Sequence, residues 1–236
     1  MQKCPKLVSQ IVQSENAQLR INALKVLSEE LKNPYSAGGV TRAGVVPVLN
    51  DLVINGDKET KESASKALAS LACDSNGRQS MIENQTAKAI VKGLSDPTPT
   101  VRSNVYDALL NLSQIRAGLD AIVEADYPKT LVEKSTTERD DAVRHLPLRL
   151  LYECVKNERG LNSALDNNGV EACIENLSHN DALTKKDAAT TLGFLCFADA
   201  AKITAIQNGA VALLSELLDH HFWKVRAAAG KSATDK

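Results

Sequence analysis

The sequence repeats itself every 41 or 42 residues, and few folds are open to a chain that does so. Take the segment Leu19-Arg20-Ile21-Asn22-Ala23-Leu24-Lys25-Val26-Leu27. Steps of 41, 41, 42, 41 and 41 residues carry its first position to Thr60, Val101, Val143, Thr184 and Val225. The next residue is basic every time: Arg20, Lys61, Arg102, Arg144, Lys185 and Arg226. Four residues in stand Ala23, Ala64, Val105, Pro147, Ala188 and Ala229, and eight in stand Leu27, Leu68, Leu109, Leu151 and Leu192. One register kept through six copies with a single inserted residue marks a repeated structural unit.

Other columns show what the unit is. Val8, Leu49, Ile90, Leu131, Cys173 and Leu214 share a register, as do Val12, Val53, Leu94, Leu177 and Leu218. The two columns lie four residues apart and so form one apolar helical stripe. Met81, Ile122, Ala164 and Ala205, each followed by an apolar residue, mark a short helix before it. A full unit is therefore expected to hold a short helix (77–83), a second (87–93) and a longer third (100–114). Asp96-Pro97-Thr98-Pro99 makes the turn before the third, since proline ends one helix and suits the start of the next. Gly77, Gly118 and Gly160 are expected to end the preceding long helix in a left-handed conformation.

Three helices in 41–42 residues fall in the armadillo range and are too long for tetratricopeptide or ankyrin units. The fold class expected is all-α: a right-handed armadillo-type α-solenoid of about six three-helix repeats. It is one solenoid over 1–236, with units near 1–44, 45–85, 86–126, 127–168, 169–209 and a partial 210–236. Such units cannot bury their apolar faces alone. Stacking them builds a continuous core and a groove lined by the third helices. The fourth unit is irregular, with the polar run 134–141, the inserted residue, and Pro147 where others have alanine. That proline kinks the third helix unless the helix begins near Leu146. The last unit stops early, at Lys231–Lys236, with its end open.

Composition narrows the function. The 28 basic and 29 acidic residues nearly balance, leaving no surplus to neutralise phosphates, so nucleic acid is not an expected partner. No stretch nears the roughly 20 apolar residues that span a bilayer, and residues 1–6 lead into an amphipathic helix and not a secretory signal. The five cysteines at 4, 73, 154, 173 and 196 are odd in number and unclustered, which fits reduced, buried thiols in a cytosolic compartment. No phosphate-binding, nucleophile-elbow or zinc-protease motif is present. His220-His221 reads as a solvated turn and Glu29-Glu30 as a solvated face. Neither catalysis, cofactor, metal nor small-molecule substrate is expected.

Binding is the remaining activity, and the exposed columns of the third helices are its first candidates. They read Lys25, Lys66, Asp107, Arg149 and Thr190, and four residues on Glu29, Ser70, Asn111, Glu153 and Phe194. Armadillo proteins that carry nuclear-import signals place tryptophan and asparagine at these columns. Only Asn111 agrees, so aromatic capture of a basic peptide is not expected. The groove is mixed in charge: it holds a partner by side-chain pairs or stays solvated. Phe222-Trp223, in the turn before the last third helix, is either an interface anchor or a fold-back cap.

With the repeats aligned, the chain resembles the radial spoke protein 14 family, armadillo proteins of motile cilia. The similarity rests on Asp96-Pro97-Thr98-Pro99-Thr100-Val101-Arg102-Ser103-Asn104-Val105-Tyr106 and on the irregular fourth unit with Leu150-Leu151-Tyr152-Glu153-Cys154. It continues through Lys185-Lys186-Asp187-Ala188-Ala189 and Ala212–Leu218. The resemblance implies a non-catalytic subunit of the axonemal radial spoke, in its stalk or neck, contacting other radial spoke proteins. It implies a place in the cytoplasm, on the cytoskeleton of the cilium or flagellum. A cytosolic armadillo adaptor outside cilia is the alternative.

Overall fold

The computed structural model of the chain describes residue 11 and residues 16–31, 33 and 37–234. These form helices joined by short turns, with no strand among the described residues. They fall into two compact units, one ending at Ala125 and one beginning at Asp126. The positions Cys4, Val8 and Val12 lie outside the described residues.

The first unit opens with a long helix, α1 (Ala17–Glu30). The order short, medium, long then begins with α2 (Ala37–Arg42), α3 (Val45–Asn55) and α4 (Lys58–Ala72). It recurs as α5 (Ser75–Glu83), α6 (Thr86–Ile90) continued by a 3-10 helix (Val91–Ser95), and α7 (Pro99–Leu112). The short α8 (Arg116–Glu124) closes this unit. The second unit holds α9 (Tyr127–Thr137), α10 (His145–Cys154), α11 (Glu158–Asp166) and α12 (Gly169–Leu177). It ends with α13 (Ala182–Leu195), α14 (Asp199–Gln207), α15 (Ala210–Leu218) and α16 (Trp223–Thr234).

The long helices start where polar side chains satisfy their first free N–H groups. Asn16 accepts from the N–H groups of Gln18 and Leu19, Asp57 from Thr60, and Asp181 from Thr184. Thr98 occupies the same register, and there Pro99 at the first helical position removes one donor instead. The conserved-register arginines close the turn from the other side. Arg102 Nη1 donates to the carbonyls of Asp96 and Pro97, Arg144 to Glu138, and Arg226 to His220 and His221. Each guanidinium thus satisfies carbonyls of the turn that follows the middle helix. Lys61 reaches across to Asp96 of the next repeat, 3.0 Å away.

The apolar columns form the core. Leu27, Leu68, Leu109, Leu151 and Leu192 are buried, as are Ala23, Ala64, Val105, Pro147, Ala188 and Ala229. Long helix packs on long helix within each unit: α1 on α4 and α4 on α7, then α10 on α13 and α13 on α16. Leu218 departs from its column, being exposed.

Two expectations need correction. Gly77 and Gly118 do not end the long helices, and neither has a positive φ. They lie in the first turn of the following short helix, whose backbone presses on the end of the long one. A Cβ at Gly77 would overlap the carbonyl oxygen of Leu71, and one at Gly118 that of Leu112. Gly160 likewise lies in the first turn of α11. The left-handed conformation occurs instead at Gly44, Gln85, Asp126, Asn168 and Gly209, between the short and middle helices. Cys73 is exposed and Cys196 half-buried, because both stand at the cap of a long helix; Cys154 and Cys173 are buried, and burial pushes their thiols up.

The irregular fourth repeat absorbs its insertion in one turn. From the left-handed residue to the basic one is 17 residues for Gly44–Lys61, Gln85–Arg102 and Asn168–Lys185, but 18 for Asp126–Arg144. The extra residue therefore lies after α9, where the buried Glu138 accepts from the N–H groups of Arg139 and Asp140. Pro147 does not kink α10. The helix begins at His145, so Pro147 stands in its first turn, where its missing N–H has no intrahelical partner to lose.

Gly77→Ala should lower unfolding stability by about 1–3 kcal/mol through overpacking against backbone that cannot rotate away. Gly230→Ala, whose Cβ would meet only Leu218 Cδ2 at 3.8 Å, should raise it by about 0.5–1 kcal/mol through helix propensity. Urea denaturation compares the two. Asp181→Ala should cost about 1 kcal/mol at neutral pH as a lost cap. Burial alone would raise the Asp181 carboxyl, but hydrogen bonds from the Thr184 N–H and hydroxyl bring it below its ordinary value. A depressed carboxyl stabilises above its unfolded pKa, near 3.8, and loses that contribution as pH falls through the folded value. The gap between wild type and variant should accordingly close in strongly acid denaturation curves.

Candidate functional site

Register decides which face of a long helix stays wet. Lys25 lies two residues from both Ala23 and Leu27, Lys66 from Ala64 and Leu68, and Asp107 from Val105 and Leu109. Two residues are about 200° of helical turn, so a residue placed there points away from the packed seam. Lys25, Lys66, Asp107 and, in the second unit, Arg149 are all exposed as that register requires.

In the first unit the outward faces of α1, α4 and α7 border an open groove of about 930 Å³. It brings together three of the expected residues, Lys25, Glu29 and Lys66, and adds Glu30, Glu62 and Asn104, which the columns did not single out. Ser70, Asp107 and Asn111 do not line it. Asn111 Nδ2 donates to the Asp107 carbonyl one turn back on its own helix, at 2.9 Å. Asn104 ties two of the groove's helices together: its Nδ2 donates to Ser65 Oγ at 3.0 Å and to the Glu62 carbonyl at 3.4 Å. Two lysines and three glutamates therefore share one open surface. Nothing in the helical columns pointed to Glu62 or Asn104, because their place in the groove depends on the neighbouring helix.

The second unit offers different chemistry. Arg149 is exposed on α10, while Glu153 Oε2 is taken by Lys156 Nζ at 2.7 Å. The same ammonium sits 4.2 Å from the centroid of the Tyr152 ring. Tyr152 meets Phe194 edge-on at 5.9 Å, and Phe194 meets Phe197 at 5.2 Å. An aromatic row thus runs where the first unit has a charged groove. Nearby, burial raises the Asp187 carboxyl although Lys186 Nζ lies 2.6 Å away, and burial lowers His145 below the ordinary histidine value.

Phe222 is half-buried, whereas Trp223, the first residue of α16, is 60% exposed. Lys224 Nζ lies 5.8 Å from the Trp223 ring and 6.0 Å from Phe222. The turn before them is held by His220 Nδ1, which accepts from the Phe222 N–H, just as His179 Nδ1 accepts from Asp181 one repeat earlier. Among the described residues no group of three or more His, Cys, Asp and Glu side chains could hold a metal ion. No described helix is long and apolar enough to cross a membrane.

No family model matches the chain. Its coordinates are similar to those of an engineered protein over 100% of this chain and 98% of that one, with a TM-score of 0.90 and 24% identity. A designed armadillo repeat protein matches over 99% of both chains, with a TM-score of 0.86 and 18% identity. Another, solved in complex with the peptide (KR)4, matches over 99% of both with a TM-score of 0.88 and 19% identity. The fold is an all-α armadillo-type solenoid. In sequence the chain is 28% identical to radial spoke protein 14 of Chlamydomonas reinhardtii over 227 residues. That match takes in 89% of this chain and spans 57% of the relative's length. At the level of family, the chain is related to radial spoke protein 14.

Proposed function

We propose that the chain is a non-catalytic scaffold subunit of the axonemal radial spoke, in its stalk or neck, supporting the motility of cilia and flagella through protein–protein contacts. The observation that carries this reading is the relationship to radial spoke protein 14 along 89% of the chain. Its setting is accordingly the axoneme, and its partners are other radial spoke proteins. The groove over α1, α4 and α7 supports the same reading, since it offers charged side chains at fixed intervals to an extended or helical segment of a neighbour. With Lys25 and Lys66 among Glu29, Glu30 and Glu62, it selects a partner whose charges alternate, not a uniformly basic or acidic one.

A second reading, a cytosolic armadillo adaptor for a peptide outside cilia, is favoured by one observation. The designed neighbour solved with (KR)4 has the same fold, and a groove of mixed charge would take a peptide whose charges alternate.

In purified axonemes at low ionic strength the protein should stay with the microtubule fraction. Recovery in the soluble fraction would reject the spoke assignment and leave the adaptor. The double reversal Lys25→Glu and Lys66→Glu should release groove-bound partners from co-purified assemblies, with unchanged circular dichroism because both side chains are exposed. Retention of all partners would exclude the groove as the contact.

A further inference from the structure

Two buried polar atoms stand unsatisfied where α10 packs on α13. On α13, Asp187 is 4% exposed, and Lys186 Nζ meets its Oδ1 at 2.6 Å. Its Oδ2 has no hydrogen-bond partner among the described residues. On α10 the half-buried His145 has the same want at Nδ1.

The first unit shows these registers satisfied. Two repeats before Asp187 stands Asn104, and two before His145 stands Glu62. Asn104 Nδ2 donates across the seam of α4 and α7, to the Glu62 carbonyl and to Ser65 Oγ. At Asp187 a carboxylate holds the place of that amide, and an ionised carboxylate only accepts. Leu148 holds the place of Ser65 and offers no hydroxyl. Thr191 Oγ1 ties this seam instead, donating to the Leu148 carbonyl at 3.0 Å.

Neutral imidazole keeps one nitrogen as an acceptor, whereas the protonated ring carries an N–H on both and a charge to be solvated. His145 Nδ1 has neither an acceptor nor contact with water, so burial lowers His145 below the ordinary histidine value. Asp187 and Asp181 attract a proton to the ring, but Arg149 and Lys186 oppose it. Arg144, the preceding residue, is held on the Glu138 carbonyl. On the other side of α13, α16 sets Ala228 at the register of Asp187, and its Arg226 is bound to the carbonyls of His220 and His221. Lys129 and Glu133 of α9 and Glu171 and Glu175 of α12 line a separate cleft, and α11 follows the far end of α10.

We propose that the seam of α10 and α13 is a proton-operated joint, closed while His145 is neutral and loosened when His145 takes up a proton. The imidazolium then needs an acceptor, and the bare Oδ2 of Asp187 is reached only by movement of the ring or of the helix that carries it. The joint lies inside the fold and does not depend on the spoke assignment.

A lowered histidine stabilises above its unfolded value, 6.5, and loses that contribution as pH falls through 6.5 toward the folded value. Buried Asp187 has the opposite sign: its carboxylate, raised by burial, costs stability at neutral pH, and the cost is relieved as pH falls toward 3.8. Urea midpoints of the full chain measured between about pH 8 and about pH 5 separate the two. The wild-type midpoint should fall further over that range than the midpoint of His145→Gln. Asp187→Asn should begin higher, since its amide can donate as Asn104 does, and should keep the fall because His145 is still present. At the acid end, amide exchange should show α10 and α13 less protected in the wild type than in His145→Gln. If that variant misfolds, proton NMR of the wild type decides: the His145 ring should titrate below 6.5, and lower again in Asp187→Asn. Midpoints that move in parallel in wild type and His145→Gln overturn the proposal, as does a His145 ring that titrates at or above 6.5.

Discussion

What the chain can present to a partner depends on how closely its long helices approach one another. At each seam the facing residue is small or compact: Ala23, Ala64 and Val105 in the first unit, and Pro147, Ala188 and Ala229 in the second. Spacing set by such residues leaves leucines such as Leu68 and Leu192 no room except between helices, where they are fully or almost fully buried. It also fixes the residues two positions away as the exposed ones. The first-unit groove is therefore a by-product of the core. Lys25 and Lys66 are held at an interval that the buried alanines determine, not by contacts of their own.

The turns are where the repeat tolerates change. Arg102, Arg144 and Arg226 satisfy carbonyls of the turn after the middle helix, and they do so whether that turn holds the proline pair of the third repeat, the inserted residue of the fourth or the histidines of the sixth. A guanidinium on a long flexible stem reaches carbonyls five or six residues back without demanding one backbone path. That lets these three repeats keep an arginine at this register while the turn before it varies. It also explains why the irregular fourth repeat keeps its core: Glu138 and Arg144 absorb the extra residue, and α10 starts late enough to take Pro147 in its first turn.

Most of the fold was legible because burial is periodic in helices, and a period of 41–42 leaves its mark on every buried column. The misread features were those in which two segments distant in the helix pattern touch. Gly77 and Gly118 recur because a short helix presses on the carbonyls of the long one before it, and no local rule distinguishes that from a left-handed cap. The true left-handed column was masked by Gln85, which holds φ 49° without the glycine or asparagine that would have betrayed it. The candidate groove divides in the same way. Lys25, Glu29 and Lys66 followed from the period of one helix, whereas Glu62 and Asn104 join them only through the packing of α4 and α7. Glu153 was legible as a member of the groove column, but not its half-burial or its pairing with Lys156 beside the Tyr152 ring.

The charge of the first-unit groove sets what kind of contact it could make. The mixed lysine and glutamate groove keeps most of its charges in water, so as the proposed contact it would contribute discrimination between partners and a strong response to salt more than tight binding. Were the groove the contact, binding would weaken steeply with salt, because Lys25 and Lys66 are exposed charges.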